Sequence, residues 1–127
     1  MITTSGVHHI TLIVKDVKKS QEFYTKVCGM KVIAAEKDYC GLADGIFSLW
    51  LALSREESKK KFDEEEIGLN HWAFKVNTKK ELEAIEQELK KMKIVMEDGG
   101  ITDDGYGGRA IFTRDPDNMK VEFHLQE

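Results

Sequence analysis

The chain has 127 residues, 41% of them hydrophobic, enough for one core that needs neither disulfides nor metal merely to fold. Lys+Arg number 19 against 23 Asp+Glu, a formal charge of -4, so no broad basic field is available to hold a phosphate backbone and nucleic acid is excluded as a partner class. No apolar run approaches the roughly 20 residues of a spanning helix, and the opening residues lack a basic and apolar leader pattern; no membrane partner and a cytoplasmic location are expected.

Val7 to Val14 is short and rich in β-branched residues, and Lys15-Asp16 stops it, which predicts a strand. From Asp16, a plausible N-cap, Val17, Phe23, Tyr24, Val27 and Met30 recur near helical spacing as far as the stop at Gly29. Three strands are predicted next, at Lys31 to Glu36, Tyr39 to Ala43 and Phe47 to Leu53, with turns at Lys37-Asp38 and Asp44-Gly45. Cys28 and Cys40 lack a C-x-x-C spacing and are expected as reduced thiols. Between Arg55 and Gly68 the composition turns to charge, with only Phe62 and Ile67 apolar; a solvated linker with at most one helical turn is expected. The same order then returns: a strand at Asn70 to Val76, an amphipathic helix at Lys79 to Met92, and strands near Ile94 to Glu97, Arg109 to Thr113 and Lys120 to Leu125.

The chain thus reads as two βαβββ modules, residues 5–54 and 69–127, joined by the charged linker 55–68 in one α+β domain with a cupped mixed sheet. Laying His71 on His9 also lays Ile85 on Phe23, Leu89 on Val27 and Met92 on Met30, the expected buried faces of both helices. The last strands align only if the second module is ten residues longer, which places Glu122 over Trp50.

Two equivalent modules can bring matching first and last strands around a pseudo-twofold axis, so that His9, Trp50, His71 and Glu122 point at a common centre. Two imidazoles and a carboxylate suit a borderline divalent cation (zinc, manganese, nickel or iron) and leave coordination places open for substrate. Strand alternation sends the adjacent His8 and His9 to opposite faces, and register with His71 selects His9. His124, two residues beyond Glu122, shares its face as a substrate or outer-shell contact. The stretch from Asp98 to Gly108 lacks a Walker lysine and reads as a mobile flap, with Tyr106 and Arg109 at its base as candidate contacts to an anionic substrate.

Four segments carry a family resemblance over nearly the whole chain. They are Val7-His8-His9-Ile10-Thr11-Leu12-Ile13-Val14, Phe23-Tyr24 ahead of Cys28-Gly29-Met30, Asn70-His71-Trp72-Ala73-Phe74, and Arg114-Asp115-Pro116-Asp117-Asn118 leading to Glu122. With them the sequence resembles the vicinal oxygen chelate superfamily of glyoxalases, fosfomycin-resistance proteins, bleomycin-binding proteins and extradiol dioxygenases. The run from Leu49 to Glu56 and the strand Val121-Glu122-Phe123-His124 look most like the fosfomycin-resistance branch. That resemblance implies His9, His71 and Glu122 as metal ligands, Thr11 and Glu122 in the reacting centre, Trp50 as an apolar wall, and a homodimer acting on a small molecule. It implies a Lewis-acid lyase, isomerase or epoxide-opening transferase on an oxygen-rich, anionic substrate. The alternatives are a metal-free ligand-binding protein of the bleomycin-resistance kind and a small ring-cleaving dioxygenase.

Overall fold

The computed structural model describes residues 1–55 and 60–126. It divides into two compact units, Met1–Lys60 and Lys61–Glu127.

In the first unit, β1 (His9–Val14) leads into α1 (Val17–Lys26), followed by β2 (Lys31–Ala35), β3 (Tyr39–Ala43) and β4 (Ser48–Leu53). Asp16 caps α1 as predicted, its carboxylate accepting from the Lys19 amide at 3.0 Å. Past the helix, Gly29 adopts φ 70, which lets the Met30 amide donate back to the Tyr24 carbonyl at 3.0 Å. The strands order as β1-β4-β3-β2, with β1 parallel to β4 and the remaining pairs antiparallel. Alternation along β1 turns Val14 inward while His9, Thr11 and Ile13 stay exposed. Phe23 and Tyr24 of α1, together with Cys40, Leu42, Leu49 and Leu51 of the sheet, make the core. Neither cysteine forms a disulfide.

The second unit repeats the plan with β5 (His71–Val76), α2 (Lys79–Lys91), β6 (Thr102–Asp103), β7 (Gly108–Arg114) and β8 (Lys120–Gln126), ordered β5-β8-β7-β6. A reciprocal capping box opens α2: Thr78 Oγ1 accepts from the Glu81 amide, and the Glu81 carboxylate accepts from the Thr78 amide. Trp72, Val76, Leu82, Leu89, Ile111, Val121, Phe123 and Leu125 form its core. The predicted ten-residue surplus is visible in the pairing register. His9 pairs with Ser48, 39 residues on, and His71 with Lys120, 49 residues on, so Trp50 and Glu122 occupy equivalent places.

Several expectations change. No strand forms at Ile94 to Glu97: Lys93 (φ 57) and Asp98 (φ 54) turn the chain at both ends, and a 3-10 turn occupies Glu97–Gly99. The Thr113 hydroxyl donates to the Val95 carbonyl at 2.8 Å, so this segment lies beside β7 through a side chain instead of a ladder. The two-residue β6 takes the vacant strand's place in the order. Met92 does not repeat Met30, being 37% exposed against 3%, because α2 ends at Lys91 and Met92 is its C-cap. Of the charged stretch expected as a linker, residues 56–59 lie outside the described residues, and residues 60–69 form turns and bends without a helix. From Lys61 onward this stretch belongs to the second unit: the Phe62 amide donates to the Asp117 carbonyl at 2.9 Å. Among the described residues no helix is long and apolar enough to cross a membrane.

Candidate functional site

In the second unit the parallel pairing of β5 with β8 sets Ala73 opposite Glu122 and Lys75 opposite His124. Val121, Phe123 and Leu125 turn to the core, so Glu122, His124 and Gln126 share the other face with His71. Glu122 is nonetheless only 6% exposed. Burying a carboxylate is costly unless its oxygens are matched, and both are. Its Oε2 lies 2.9 Å from His71 Nε2, and its Oε1 lies 2.8 Å from His124 Nδ1.

Each imidazole is oriented from its far side. His71 Nδ1 lies 2.7 Å from Asn70 Oδ1, an oxygen that can only accept, so Nδ1 carries a proton. The ring also meets Phe112 edge-on, with centroids 5.9 Å apart. His124 Nε2 lies 3.2 Å from Gln126 Oε1, with Asp104 Oδ2 at 3.8 Å. The Gln126 carboxamide and then the Glu122 carboxylate raise the His124 pKa above its ordinary value, outweighing its partial burial. Asp104 is held below the usual carboxylate range by the Tyr106 and Gly108 amides, which it accepts at 2.7 and 2.9 Å. These turns give the glycine-rich loop an internal order. Tyr106 stands at its tip, 90% exposed. Arg109 pairs in register with Leu125, on the face alternate to Ala110 and Phe112.

The first unit presents the equivalent face. Thr11 pairs with Trp50, and Trp50 with Gly41. The indole covers Gly41 so closely that a Cβ there would stand 2.8 Å from the ring, which explains a glycine in mid-strand. His9, at the start of β1, shares the Thr11 face. His8 precedes the strand, so alternation does not separate the two histidines as expected; their Nδ1 atoms lie 2.8 Å apart.

Of the three predicted ligands, the second unit brings together His71 and Glu122, with His124 as an additional partner; His9 lies on β1 of the first unit. Among the described residues no cluster of three or more His, Cys, Asp or Glu side chains is gathered as a metal site. The donor chemistry of the His71–Glu122 pair nevertheless fits a cation. With Nδ1 protonated toward Asn70, a neutral ring has its lone pair on Nε2, and a carboxylate oxygen 2.9 Å away requires a positive charge, proton or metal, between them. Two donors each about 2.1 Å from one cation would stand about 3 Å apart in an octahedral site and about 3.4 Å apart in a tetrahedral one. Asn70 and Gln126 stand outside the candidate site residues of the sequence; their signal there is position, one residue from His71 and four from Glu122.

Residues 6–123 match the Glyoxalase/Bleomycin resistance protein/Dioxygenase superfamily, and the chain belongs to it. It is 29% identical over 123 residues to the metallothiol transferase FosB of Lysinibacillus sphaericus, covering 97% of this chain and 84% of that protein. The glutathione transferase FosA of Serratia marcescens is 27% identical, with coverages of 94% and 80%. Among solved structures, a glyoxylase/bleomycin resistance protein/dioxygenase domain from Frankia sp. EAN1pec superposes with a TM-score of 0.85 at 26% identity, covering 98% of this chain and 94% of that one. The α+β architecture and the likeness to the fosfomycin-resistance branch expected from the sequence are thereby shown.

Proposed function

We propose that the protein is a metal-dependent enzyme of the glyoxalase and fosfomycin-resistance type, acting on a small, oxygen-rich, anionic molecule. One observation carries this reading: a nearly buried carboxylate faces an imidazole Nε2 at 2.9 Å while Asn70 holds the opposite nitrogen. In that arrangement the protein orients a ligand nitrogen through its outer shell. His71 and Glu122 would hold a divalent cation with His9 as the third ligand, in a single domain that pairs as a homodimer in the cytoplasm. The bound cation would supply Lewis-acid stabilisation of negative charge developing on substrate oxygens. Thr11, Trp50 and His124 would then line the substrate, Thr11 and His124 as hydrogen-bonding groups and Trp50 as an apolar wall; Tyr106 is proposed as a contact to its anionic end, whereas Arg109 starts from the strand face turned away from Glu122 and His124. The names of FosB and FosA, a metallothiol transferase and a glutathione transferase, make addition of a thiol to an electrophilic carbon the leading reaction to try.

Metal analysis of the purified protein tests the first part: about one zinc, manganese or nickel per chain is expected, lost in His71→Ala. Stoichiometric metal retained by that variant removes the site. Loss of fosfomycin followed by mass spectrometry, with glutathione, cysteine or water as co-reactant, tests the second part, and no turnover with any of them sinks the branch assignment. Ferrous iron with ring-cleavage activity would instead favour the dioxygenase reading, and a metal-free protein that binds its ligand unchanged the sequestering one.

A further inference from the structure

In the charged segment ahead of β5, Phe62 and Glu64 are half-buried. Glu64 Oε1 accepts from Arg114 Nη2 at 2.8 Å, and Oε2, shielded from solvent, lies 3.3 Å from Lys120 Nζ. Glu97 closes the group from the other side, 2.8 Å from Arg114 Nε and 3.5 Å from Lys120 Nζ. An isolated ion pair of this kind adds little to stability, but here two carboxylates are each shared between the same two cations, a network that fixes where Glu64 and Lys120 sit.

Two routes lead from Glu64 to His71. Lys120 Nζ stands 4.8 Å over the Phe112 ring, and Phe112 meets the His71 ring edge-on at 5.9 Å and 79°. Separately, the Glu64 backbone carbonyl accepts from Asn70 Nδ2 at 3.0 Å, which turns Asn70 Oδ1 toward His71 Nδ1. The segment itself is pinned where Asn118 Nδ2 donates to the Phe62 carbonyl at 3.0 Å. Side chain and main chain of one residue therefore converge on both the tilt and the tautomer of one imidazole.

We propose that Glu64 is a positioning residue for His71, acting through Asn70 on one side and through Lys120 and Phe112 on the other. The proposal rests on the reading of His71 as a metal ligand, because only then does the ring's orientation matter to function. Outer-shell partners of a ligating histidine are worth about 10–100-fold in metal affinity.

The test uses the full chain with Glu64→Ala, Glu64→Gln, Asn70→Ala and Lys120→Met, and Glu65→Ala as the control. Nitrogen and ring-proton resonances of His71 in the metal-free protein report tautomer and placement against Phe112; competition against a chromophoric chelator gives the zinc dissociation constant. Asn70→Ala, which removes the ring's direct partner, should shift the His71 ring resonances and weaken zinc about 10-fold or more; Glu64→Ala should shift the resonances and weaken zinc by less than that but by more than the control, Glu64→Gln should recover part of both because it keeps an acceptor oxygen, and Glu65→Ala should stay within about twofold. Glu64→Ala leaves the main-chain carbonyl that Asn70 meets, so His71 resonances unchanged in Glu64→Ala overturn the role of the Glu64 side chain, and resonances unchanged in Asn70→Ala overturn the main-chain route, whatever happens to melting temperature. Should Glu64→Ala fail to fold, Asn70→Ala and Lys120→Met carry the same measurement one route at a time, and unchanged resonances in both overturn the proposal. A wild-type chain that takes no zinc, manganese or nickel would defeat the metal reading, whereas the resonances would still decide whether Glu64 orients the ring.

Discussion

Glu122→Gln separates the carboxylate's contribution to folding from its contribution to metal binding. Glutamine keeps the side chain's size on β8 but removes the charge that faces His71 at 2.9 Å and His124 at 2.8 Å. Charge-assisted hydrogen bonds are worth about 1.5–3 kcal/mol and neutral ones about 0.5–1.5. Each contact therefore weakens by about 1 kcal/mol, and the cheaper burial of a neutral group at this 6% exposed position returns part of that. A net loss of about 1 kcal/mol is expected for the metal-free protein. With an unfolding entropy of about 2.1 cal/mol/K per residue over 127 residues, that corresponds to about 4 °C in Tm. Zinc at a hundredfold excess over its dissociation constant adds about 2.7 kcal/mol, or about 10 °C, to the wild type. Paired melting curves with and without zinc should show the variant starting slightly lower and rising by less than about 2 °C. An equal zinc-induced rise in both proteins would refute the role of Glu122 as a ligand.

Other expectations concern the scaffold and the second imidazole. Gly41→Ala places a methyl group 2.8 Å from the Trp50 ring, and overpacking of this kind costs about 1–3 kcal/mol; a lower Tm and an altered tryptophan emission spectrum are expected, and wild-type values for both would show that the indole moves aside freely. His124 has a folded-state pKa raised by Gln126 and Glu122, so the folded protein binds its proton more tightly than the unfolded chain. That stability is fully present below the unfolded value of about 6.5 and is lost as pH rises through the raised folded value. Metal-free Tm should fall over that window, and His124→Asn should flatten the fall; an unchanged slope would contradict the assignment. Thr78→Ala removes the cap of α2 at a cost of about 0.5–2 kcal/mol, measurable by chemical denaturation, and no change would mean that the box with Glu81 is energetically idle.

Strand and helix periodicity, the cap at Asp16 and the repeat that equates His9 with His71 could all be read along the chain, because each depends on spacing within one element or on the likeness of two modules. The same spacing placed Glu122 over Trp50, and the registers His9–Ser48 and His71–Lys120 reproduce it. Spacing was misleading at residues 94–97, where extended-looking residues sit between two positive-φ turns that only the surrounding packing selects. It also undervalued the charged stretch from Arg55 to Gly68. Charge predicts solvation, yet Glu64 meets Arg114, fifty residues away, and that meeting exists only once β7 and β8 have paired.

The sequence alone therefore determined the module repeat, the class of side chain at each candidate position and the superfamily likeness, since these follow from local periodicity and residue chemistry. Tertiary structure decided the pairing of His71 with Glu122, the capture of His124 by the same carboxylate, and the convergence of Asn70 and Phe112 on one ring. The contacts of His71 with Glu122 and Phe112 join different strands, and those of Glu122 with His124 and of Asn70 with His71 depend on rotamers, neither of which a one-dimensional pattern encodes.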